Sequence, residues 1–471
     1  MKIVDLEIKG VTINSKEIKK GFLFVAIKGK RQDGYNFIQE AITQGASIVV
    51  VEKEIPQVKL AGKVVFLIVD DCRKFYAQAT HNFYQAPSDK IKVIGITGTN
   101  GKTTISYLIE AMAKESHYDC GVIGTINYRY KGKIIVAKNT TPEAGQLQGL
   151  LKKMYLQKVK YCAMEVSSHA LDQERVAGIN FSHAIFTNLT QDHLDYHKNL
   201  ENYFLAKAKL FRALPASASA IINNDDAHGR RIKQLTKAKV ITYGIKRKSN
   251  VMAKSINFGM DFTEFTLVAG RIKVKIKTNL IGRYNIYNIL AAVAWGITEK
   301  LPIMNIKAAL EKFKNVAGRL QRINRAKGLN IFVDYAHTPD ALFNVISALR
   351  PLVKGKIIVV FGCGGERDKL KRPLMGKVVT ELADYAIITN DNPRSENPQQ
   401  IIKDIVQGIK KNNYCLVPDR NQAISKGLSL IDKIDCLLIA GKGHENFQIL
   451  KNKVLEFNDR KVVSECLALL K

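Results

Sequence analysis

The stretch VIGITGTNGKTTISYLIEAM at positions 93–112 constrains this chain more than any other. An apolar, strand-like run feeds a glycine-bearing turn, Gly98-Thr99-Asn100-Gly101, and then Lys102, Thr103 and Thr104 open a segment of helical period. Glycines let backbone N–H groups wrap phosphate oxygens, and the start of the following helix adds positive potential at the same point. Lys102 can pair with β- and γ-phosphates, and the Thr103 hydroxyl can reach Mg2+. A strict G-x-x-x-x-G-K-T loop carries glycine where this chain has Ile96, so the loop is a variant of that pattern. Strand, loop and helix still fall in the order that nucleotide binding requires, which commits this region to an α/β layer.

At 471 residues the chain is too long for one core, and three segments are readable. In the first, residues 1–89, the strand-like DLEIKGVTI, FLFVAI, ASIVVV and VVFLIV alternate with the helical YNFIQEAITQG and RKFYAQATHNFYQ, and QAPSD closes it as a linker. The second, 90–317, holds the phosphate loop and the near-continuous apolar runs YCAMEV, HAIFTNL and SASAIIN, as expected of parallel strands buried on both faces. The third, 318–471, has five strand-like runs separated by helical patterns, which predicts a doubly wound α/β domain. Its strands exit into DYAHTPD, GCGGERDK, NDNPRSENP, PDR and GKGHE. Ligands of open α/β sheets bind beyond the carboxyl ends of strands, so glycines, charges and prolines gathered there read as a site.

Other candidates surround the loop. Glu165 ends a buried run and is followed by Ser167, Ser168 and His169; it suits a Mg2+ ligand or, equally, a helix cap. His193 and His197 are spaced in a way that hints at a metal, but H-E-x-x-H is absent and a zinc protease is excluded. Lys207, in NYFLAKAKLF, reads on its own as one more solvated lysine.

The ordered set GTNGKTT, NTT, MEVSSH, TNLTQDHLDYH, YNIYN, GRLQ, DYAHTPDAL, GCGGERD, DNPR and GKGHE resembles the Mur ligases over essentially the full length. Within them it is similar to the branch that adds an amino acid to UDP-MurNAc-L-Ala-D-Glu, in its 2,6-diaminopimelate-adding form. The resemblance implies three domains: a small α/β UDP-binding domain, a central P-loop ATPase with a parallel sheet, and a C-terminal Rossmann-like, doubly wound domain that takes the amino acid. It implies ATP and Mg2+, and an acyl phosphate on the D-Glu side chain that the amine of meso-diaminopimelate attacks. L-Lysine is the runner-up acceptor.

Residue roles follow by resemblance. Gly98, Thr99, Asn100, Gly101, Lys102, Thr103 and Thr104 would hold ATP phosphates, with Asn288 at adenine and Arg319 and Asp334 reaching phosphates and ribose across the cleft. Thr103 and Glu165 would bind one magnesium and His193 a second, with Lys207 carbamylated by CO2 to help hold that second ion. The UDP-sugar peptide would meet Ile13, Ser15, Lys30, Arg31 and Gln32 at its uridine end, then Asn139, Thr140, Thr141, Ser167, Gln173 and Arg175. The family's D-S-R reads Asn14-Ser15-Lys16 here, which keeps only the hydroxyl. Diaminopimelate differs from lysine by a second carboxylate, which a guanidinium matches in bidentate fashion. Arg394, with Arg367, Asp391, Asn392, Pro393, Gly441 and Glu445, would take it.

Bulk numbers bound the alternatives. The net charge of +31 could signal nucleic acid, but its lysines are spread over the chain with no aromatic-interleaved basic segment and no guanine-reading N-K-x-D. A P-loop nucleic-acid motor and a GTP switch are set aside on that ground, and no nucleic-acid partner is expected. No apolar stretch approaches the roughly 20 residues of a membrane span. The seven cysteines form no C-x-x-C pair, and the first 20 residues alternate apolar and charged. A reduced, cytoplasmic bacterial monomer is expected, without membrane insertion.

Overall fold

The computed structural model describes residues 2–3, 6–29, 32–53, 64–323, 328–451 and 453–469. Near the N-terminus, strands Gly10–Thr12, Phe22–Val25, Ala46–Val51 and Val65–Ile68 form a four-stranded parallel sheet in chain order. Their inward side chains, Leu23, Val25, Ile48 and Val50 among them, pack on helix Cys72–Phe83, whose first turn is capped by the Asp71 carboxylate. The run expected as one first strand divides into the short pieces Leu6–Glu7 and Gly10–Thr12.

The middle of the chain builds an eleven-stranded sheet. Its centre is parallel, in the order Cys120–Ile123, Tyr161–Glu165, Lys92–Thr97, Phe181–Phe186, Ser219–Asn223, Lys239–Gly244. The sequence reading expected a parallel sheet; the edges differ. A hairpin, Asn127–Tyr130 with Lys133–Val136, extends one side, and an antiparallel set, Val251–Phe258, Thr263–Ala269 and Ile272–Thr278, extends the other. The last of these reads IKVKIKT: its isoleucines and valine turn inward while Lys273, Lys275 and Lys277 stay exposed, so a charged strand closes that edge. Helix Lys102–Glu115 buries Ile105, Leu108, Ile109 and Met112 against this sheet.

Register decides what reaches the phosphate loop. Glu165 pairs with Ile96, and the Val166 N–H donates to the Ile96 carbonyl at 2.8 Å, so the Glu165 carboxylate leaves its strand beside Gly98–Gly101. On the other flank Phe186 pairs with Thr97, which sets Thr187 against Gly98.

The third unit is a six-stranded sheet whose parallel strands lie in the order Asn330–Asp334, Cys436–Ala440, Ile357–Phe361, Tyr385–Ile388, Tyr414–Leu416, with Gln321–Arg322 antiparallel at the edge. All five expected strands are present. The crossed order brings the exits at Asp334, Gly441, Gly362 and Thr389 side by side on one edge, as a doubly wound sheet does at its carboxyl ends.

Candidate active site

The phosphate loop is shaped by two glycines with positive φ, Gly98 at +144° and Gly101 at +93°. A Cβ on Gly98 would stand 1.8 Å from Thr187 Oγ1, and one on Gly101 2.3 Å from Asn288 Oδ1, so neither site admits a side chain. Lys102 folds back to donate to the Gly98 and Thr99 carbonyls, both at 2.8 Å. Thr103 donates its hydroxyl to Glu165 at 3.0 Å. Buried Asn288 comes from helix Arg283–Thr298, where its amide donates to Asn285 at 3.0 Å.

Lys207 is not a solvated lysine. Only 1% of it is exposed; its amine donates to the Gly98 carbonyl at 2.9 Å and sits 4.3 Å above the Tyr203 ring. Two lysine amines therefore share one carbonyl oxygen. Burial first, and then the Lys102 cation, push the Lys207 amine well below its ordinary pKa, with Asp192 opposing. His193, held with φ at +56°, lies 3.3 Å from the Asp192 carboxylate and edge-on to His169 at 4.8 Å. His197 turns instead to the Ser168 hydroxyl at 3.0 Å. Among the described residues, no group of three or more His, Cys, Asp or Glu side chains is arranged as a metal cage. The donor set that does converge, the Thr103 hydroxyl and Glu165 carboxylate beside a phosphate loop, has the hard oxygen chemistry that Mg2+ takes when phosphates complete its shell.

The third unit reaches into this pocket. Arg319 donates to the Thr103 hydroxyl at 3.1 Å, and Asp340 accepts from the Asn100 amide at 2.8 Å and from Thr190 at 3.2 Å. Lys371 comes within 3.9 Å of Asp192. Asp334, at its strand end, takes the backbone N–H groups of Leu320 and Ala336. Its burial pushes the carboxyl up to about 6, against the pull of Arg319 and those two N–H groups.

The residues expected at the amino acid assemble at the neighbouring exits. Asn392 donates to Glu445 at 2.8 Å and accepts from Lys442 at 3.0 Å and the Ile449 N–H at 2.9 Å. Gly441, with φ at +114°, leaves no room for a Cβ, which would lie 2.6 Å from the Asp391 carboxylate. Arg394 follows Pro393 with φ at +54°, and its Nη1 donates to the Gly365 carbonyl at 2.6 Å. A Cβ on Gly364 would lie 3.1 Å from Arg394 Nη1 and 3.8 Å from Arg367 Cγ, so the Arg394 guanidinium and the Arg367 side-chain stem both border that one glycine. Burial lowers the Arg394 pKa, and the Arg367 cation lowers it further. Two cations that disfavour each other mark a place for an anion.

The group expected at the sugar peptide is also contiguous. The Thr141 hydroxyl donates to the Glu165 carbonyl at 2.8 Å and accepts from the Ser167 N–H at 3.0 Å. Arg175 donates to the Thr141 carbonyl at 3.1 Å and to Gln173 at 2.7 Å. The Asn139 carbonyl accepts from Tyr128 at 2.6 Å, and Thr140 meets Thr125 at 3.0 Å. In the loops beside the first sheet Ile13 is half-buried, Ser15 is buried and Gln32 is exposed, while Lys30 and Arg31 lie outside the described residues.

Sequence reasoning passed over Thr125, whose N–H and hydroxyl each donate to Glu165 at 3.0 Å. The signal was available, since GT follows an apolar run, CGVI, that ends level with Glu165's strand. Asp192, Asp340, Lys371 and Lys442 were passed over as well, and each reads in isolation as an ordinary surface charge.

Three family models match in series: "Mur ligase family, catalytic domain" over residues 7–84, "Mur ligase middle domain" over 96–296, and "Mur ligase, glutamate ligase domain" over 318–443. A protein of Aquifex aeolicus named UDP-N-acetylmuramoyl-L-alanyl-D-glutamate–2,6-diaminopimelate ligase is 46% identical, covering 98% of this chain and 94% of its own. One of Clostridium acetobutylicum, named as ligase 1 of the same kind, is 45% identical over 98% of this chain and 95% of its own. A solved structure titled as that ligase superposes with a TM-score of 0.72 at 31% identity, covering 98% of this chain and 95% of its own. The MurF ligase from Thermotoga maritima in complex with ADP shares the fold at 20% identity, with a TM-score of 0.63, covering 99% of this chain and 98% of its own.

Proposed function

The chain belongs to the Mur ligase family, and from that premise we propose that it adds meso-2,6-diaminopimelate to the D-Glu side-chain carboxylate of UDP-MurNAc-L-Ala-D-Glu, with ATP converted to ADP and phosphate. Relatives covering almost the whole chain carry the name of that reaction. The choice of acceptor rests on one observation: Arg394 and Arg367 flank Gly364 at the strand exits, beside Asn392 and Glu445. An amino acid with a second, distal carboxylate supplies the anion such a pair wants, and lysine does not.

In this reading the γ-phosphoryl group moves to the D-Glu carboxylate, giving an acyl phosphate. The diaminopimelate amine attacks the acyl carbon, loses a proton, and phosphate departs with its bonding pair. The work is positioning and charge neutralisation. Gly98 through Thr104 hold the phosphates, Asn288 the adenine, and Arg319 with Asp334 the phosphate and ribose from the opposite wall. Thr103 and Glu165 would hold one Mg2+ and His193, with carbamylated Lys207, a second; magnesium when bound offsets phosphate charge. Lys207 suits carbamylation because burial, and then the Lys102 cation, favour its uncharged, nucleophilic form. Ile13, Ser15, Lys30, Arg31 and Gln32 serve the uridine end, and Asn139, Thr140, Thr141, Ser167, Gln173 and Arg175 the muramyl dipeptide. Domain boundaries at 89/90 and 317/318 place uridine, ATP and amino acid on successive units of one chain, which acts as a monomer in the bacterial cytoplasm. No helix among the described residues is long and apolar enough to cross a membrane.

The test is ADP release by the purified protein given UDP-MurNAc-L-Ala-D-Glu and, in parallel, meso-diaminopimelate, lysine or ornithine. Turnover should be fastest with diaminopimelate; equal or faster turnover with lysine overturns the assignment.

A further inference from the structure

A carboxylate shared by Arg394 and Arg367 needs their two side chains at a set spacing, yet the two arginines ride on different loops. One loop, 362–368, leaves the strand Ile357–Phe361; the other, 389–396, leaves Tyr385–Ile388. Near the arginines the two loops touch directly: the Gly365 N–H donates to the Asn392 carbonyl at 2.9 Å, a Cβ on Gly365 would lie 2.0 Å from the Pro393 carbonyl, Arg394 Nη1 donates to the Gly365 carbonyl at 2.6 Å, and the Ser395 hydroxyl donates to the Glu366 carboxylate.

Behind them lies a fully buried charged side chain. Arg372, in the first turn of helix Lys371–Leu382, is 0% exposed. Its Nη2 donates to both oxygens of Glu396, at 3.0 and 2.9 Å, and approaches the Gly364 carbonyl at 3.4 Å, while Nη1 donates to Asp404 at 2.8 Å. Glu396 stands two residues after Arg394 and also accepts the backbone N–H of Glu366, the residue before Arg367. One carboxylate thus grips the first loop twice, by its backbone at Glu366 and through Arg372 just beyond it. Asp404, on helix Pro398–Val406, holds Arg372 from outside both loops. The far side of the Arg394 turn is fixed separately: Arg394 N–H donates to the Ile449 carbonyl at 3.1 Å and Lys451 N–H to the Arg394 carbonyl at 2.7 Å.

We propose that the Arg372–Glu396 pair is a positioning element for amino-acid specificity: it sets the spacing of Arg394 and Arg367 and so the preference for an acceptor with a distal carboxylate. Neither residue touches the acceptor. The pair acts through Arg394, so the proposal rests on the reading that Arg394 binds the second carboxylate.

The experiment compares Glu396→Gln, Glu396→Asp, Asp404→Asn and Arg394→Ala in steady-state assays with meso-diaminopimelate or lysine as acceptor, alongside KM for ATP and the melting temperature. Glu396→Gln should raise KM for diaminopimelate at least tenfold and cut the diaminopimelate-to-lysine ratio of kcat/KM by a similar factor. Its KM for ATP should stay within twofold. Glu396→Asp keeps the charge but cannot span both partners, and should shift the ratio in the same direction if Glu396→Gln fails to fold. Asp404→Asn should lower the melting temperature with the ratio unchanged. In an Arg394→Ala background, Glu396→Gln should add nothing to the loss of preference. An unchanged ratio in both folded Glu396 variants overturns the positioning role, as does a matching change in Asp404→Asn, which would make the pair a simple fold staple. If Arg394→Ala itself leaves the preference unchanged, the reading of Arg394 fails; if it abolishes the preference while the Glu396 variants do not, only the positioning role fails.

Discussion

Lys207 illustrates how a residue's chemistry is set by what surrounds it. In sequence it is one lysine among many; in the fold its amine shares the Gly98 carbonyl with Lys102 under a Tyr203 ring, and burial, with the Lys102 cation adding to it, lowers its pKa. Replacing Lys207 by Ala should abolish ligation, with partial recovery when a short carboxylic acid is added to supply the missing anion. Full activity without the additive would refute the carbamate role, and the adduct itself would read as a mass increase in bicarbonate. Asp334 offers a second test, with its sign fixed by burial. Its folded pKa of about 6 exceeds the ordinary 3.8, so folding favours the protonated form. That contribution is present at low pH and is lost as pH rises through the folded value. The stability of Asp334→Asn relative to the parent should therefore improve from about pH 4 to about pH 6 and level off above it. Melting curves in half-unit steps measure this, and a flat difference would mean that the carboxyl titrates normally.

At the scale of elements, the phosphate loop depends on one backbone conformation at the mouth of a helix. Gly101 has φ at +93° and faces Asn288, so Gly101→Ala strains the turn and displaces the side chain proposed for adenine. KM for ATP should rise at least tenfold, about 1.4 kcal/mol, while circular dichroism stays that of the parent. An unchanged KM would remove Asn288 from the nucleotide site. The same scale separates what the sequence disclosed from what it withheld. Runs such as YCAME and CLLIA announced buried parallel strands because both faces are apolar, and the glycine-rich exits announced a ligand edge. The order of strands could not be read, because pairing partners lie tens to hundreds of residues apart and only the fold shows that Asp334 pairs with Ala440. The antiparallel edge was legible in the two-residue period of IKVKIKT, although apolar runs were given more weight. Buried Lys207, Lys371 and Lys442 were not legible, since lysine almost always stays in water and no local pattern marks the exceptions.

Across the whole molecule, one enzyme's chemistry is divided between units that must meet, and the contact that joins them beside the phosphate loop is polar. Helix Pro339–Leu349 of the third unit starts at Thr338, whose hydroxyl caps the Ala341 N–H at 3.2 Å, and carries Asp340 in its first turn. The Asp340 carboxylate spans the cleft to the Asn100 amide of the phosphate loop and the Thr190 hydroxyl, at 2.8 and 3.2 Å. Arg319 crosses the same gap to Thr103. Apolar burial holds each sheet together, but Ile281, Met260 and Tyr284 of the middle unit also pack on the third unit's core, so closure combines that contact, the Arg322–Asp261 and Lys371–Asp192 ion pairs, these bonds and ligand. Asp340 is half-buried and its carboxylate is bonded to Asn100 and Thr190, on the phosphate-loop side of the cleft, which separates its effect from acceptor binding. At a half-buried site each hydrogen bond contributes about 0.5–1.5 kcal/mol, and losing both in Asp340→Ala should weaken the closed state roughly tenfold or more. KM for ATP should rise by that order with the diaminopimelate-to-lysine ratio intact, and the radius of gyration from solution scattering with a non-hydrolysable ATP analogue should exceed the parent's. Asn100→Ala placed on top of Asp340→Ala should cost less than it does alone, because the bond it removes is already gone. Additive costs together with an unchanged radius would mean that closure is set elsewhere and that Asp340 only decorates the cleft.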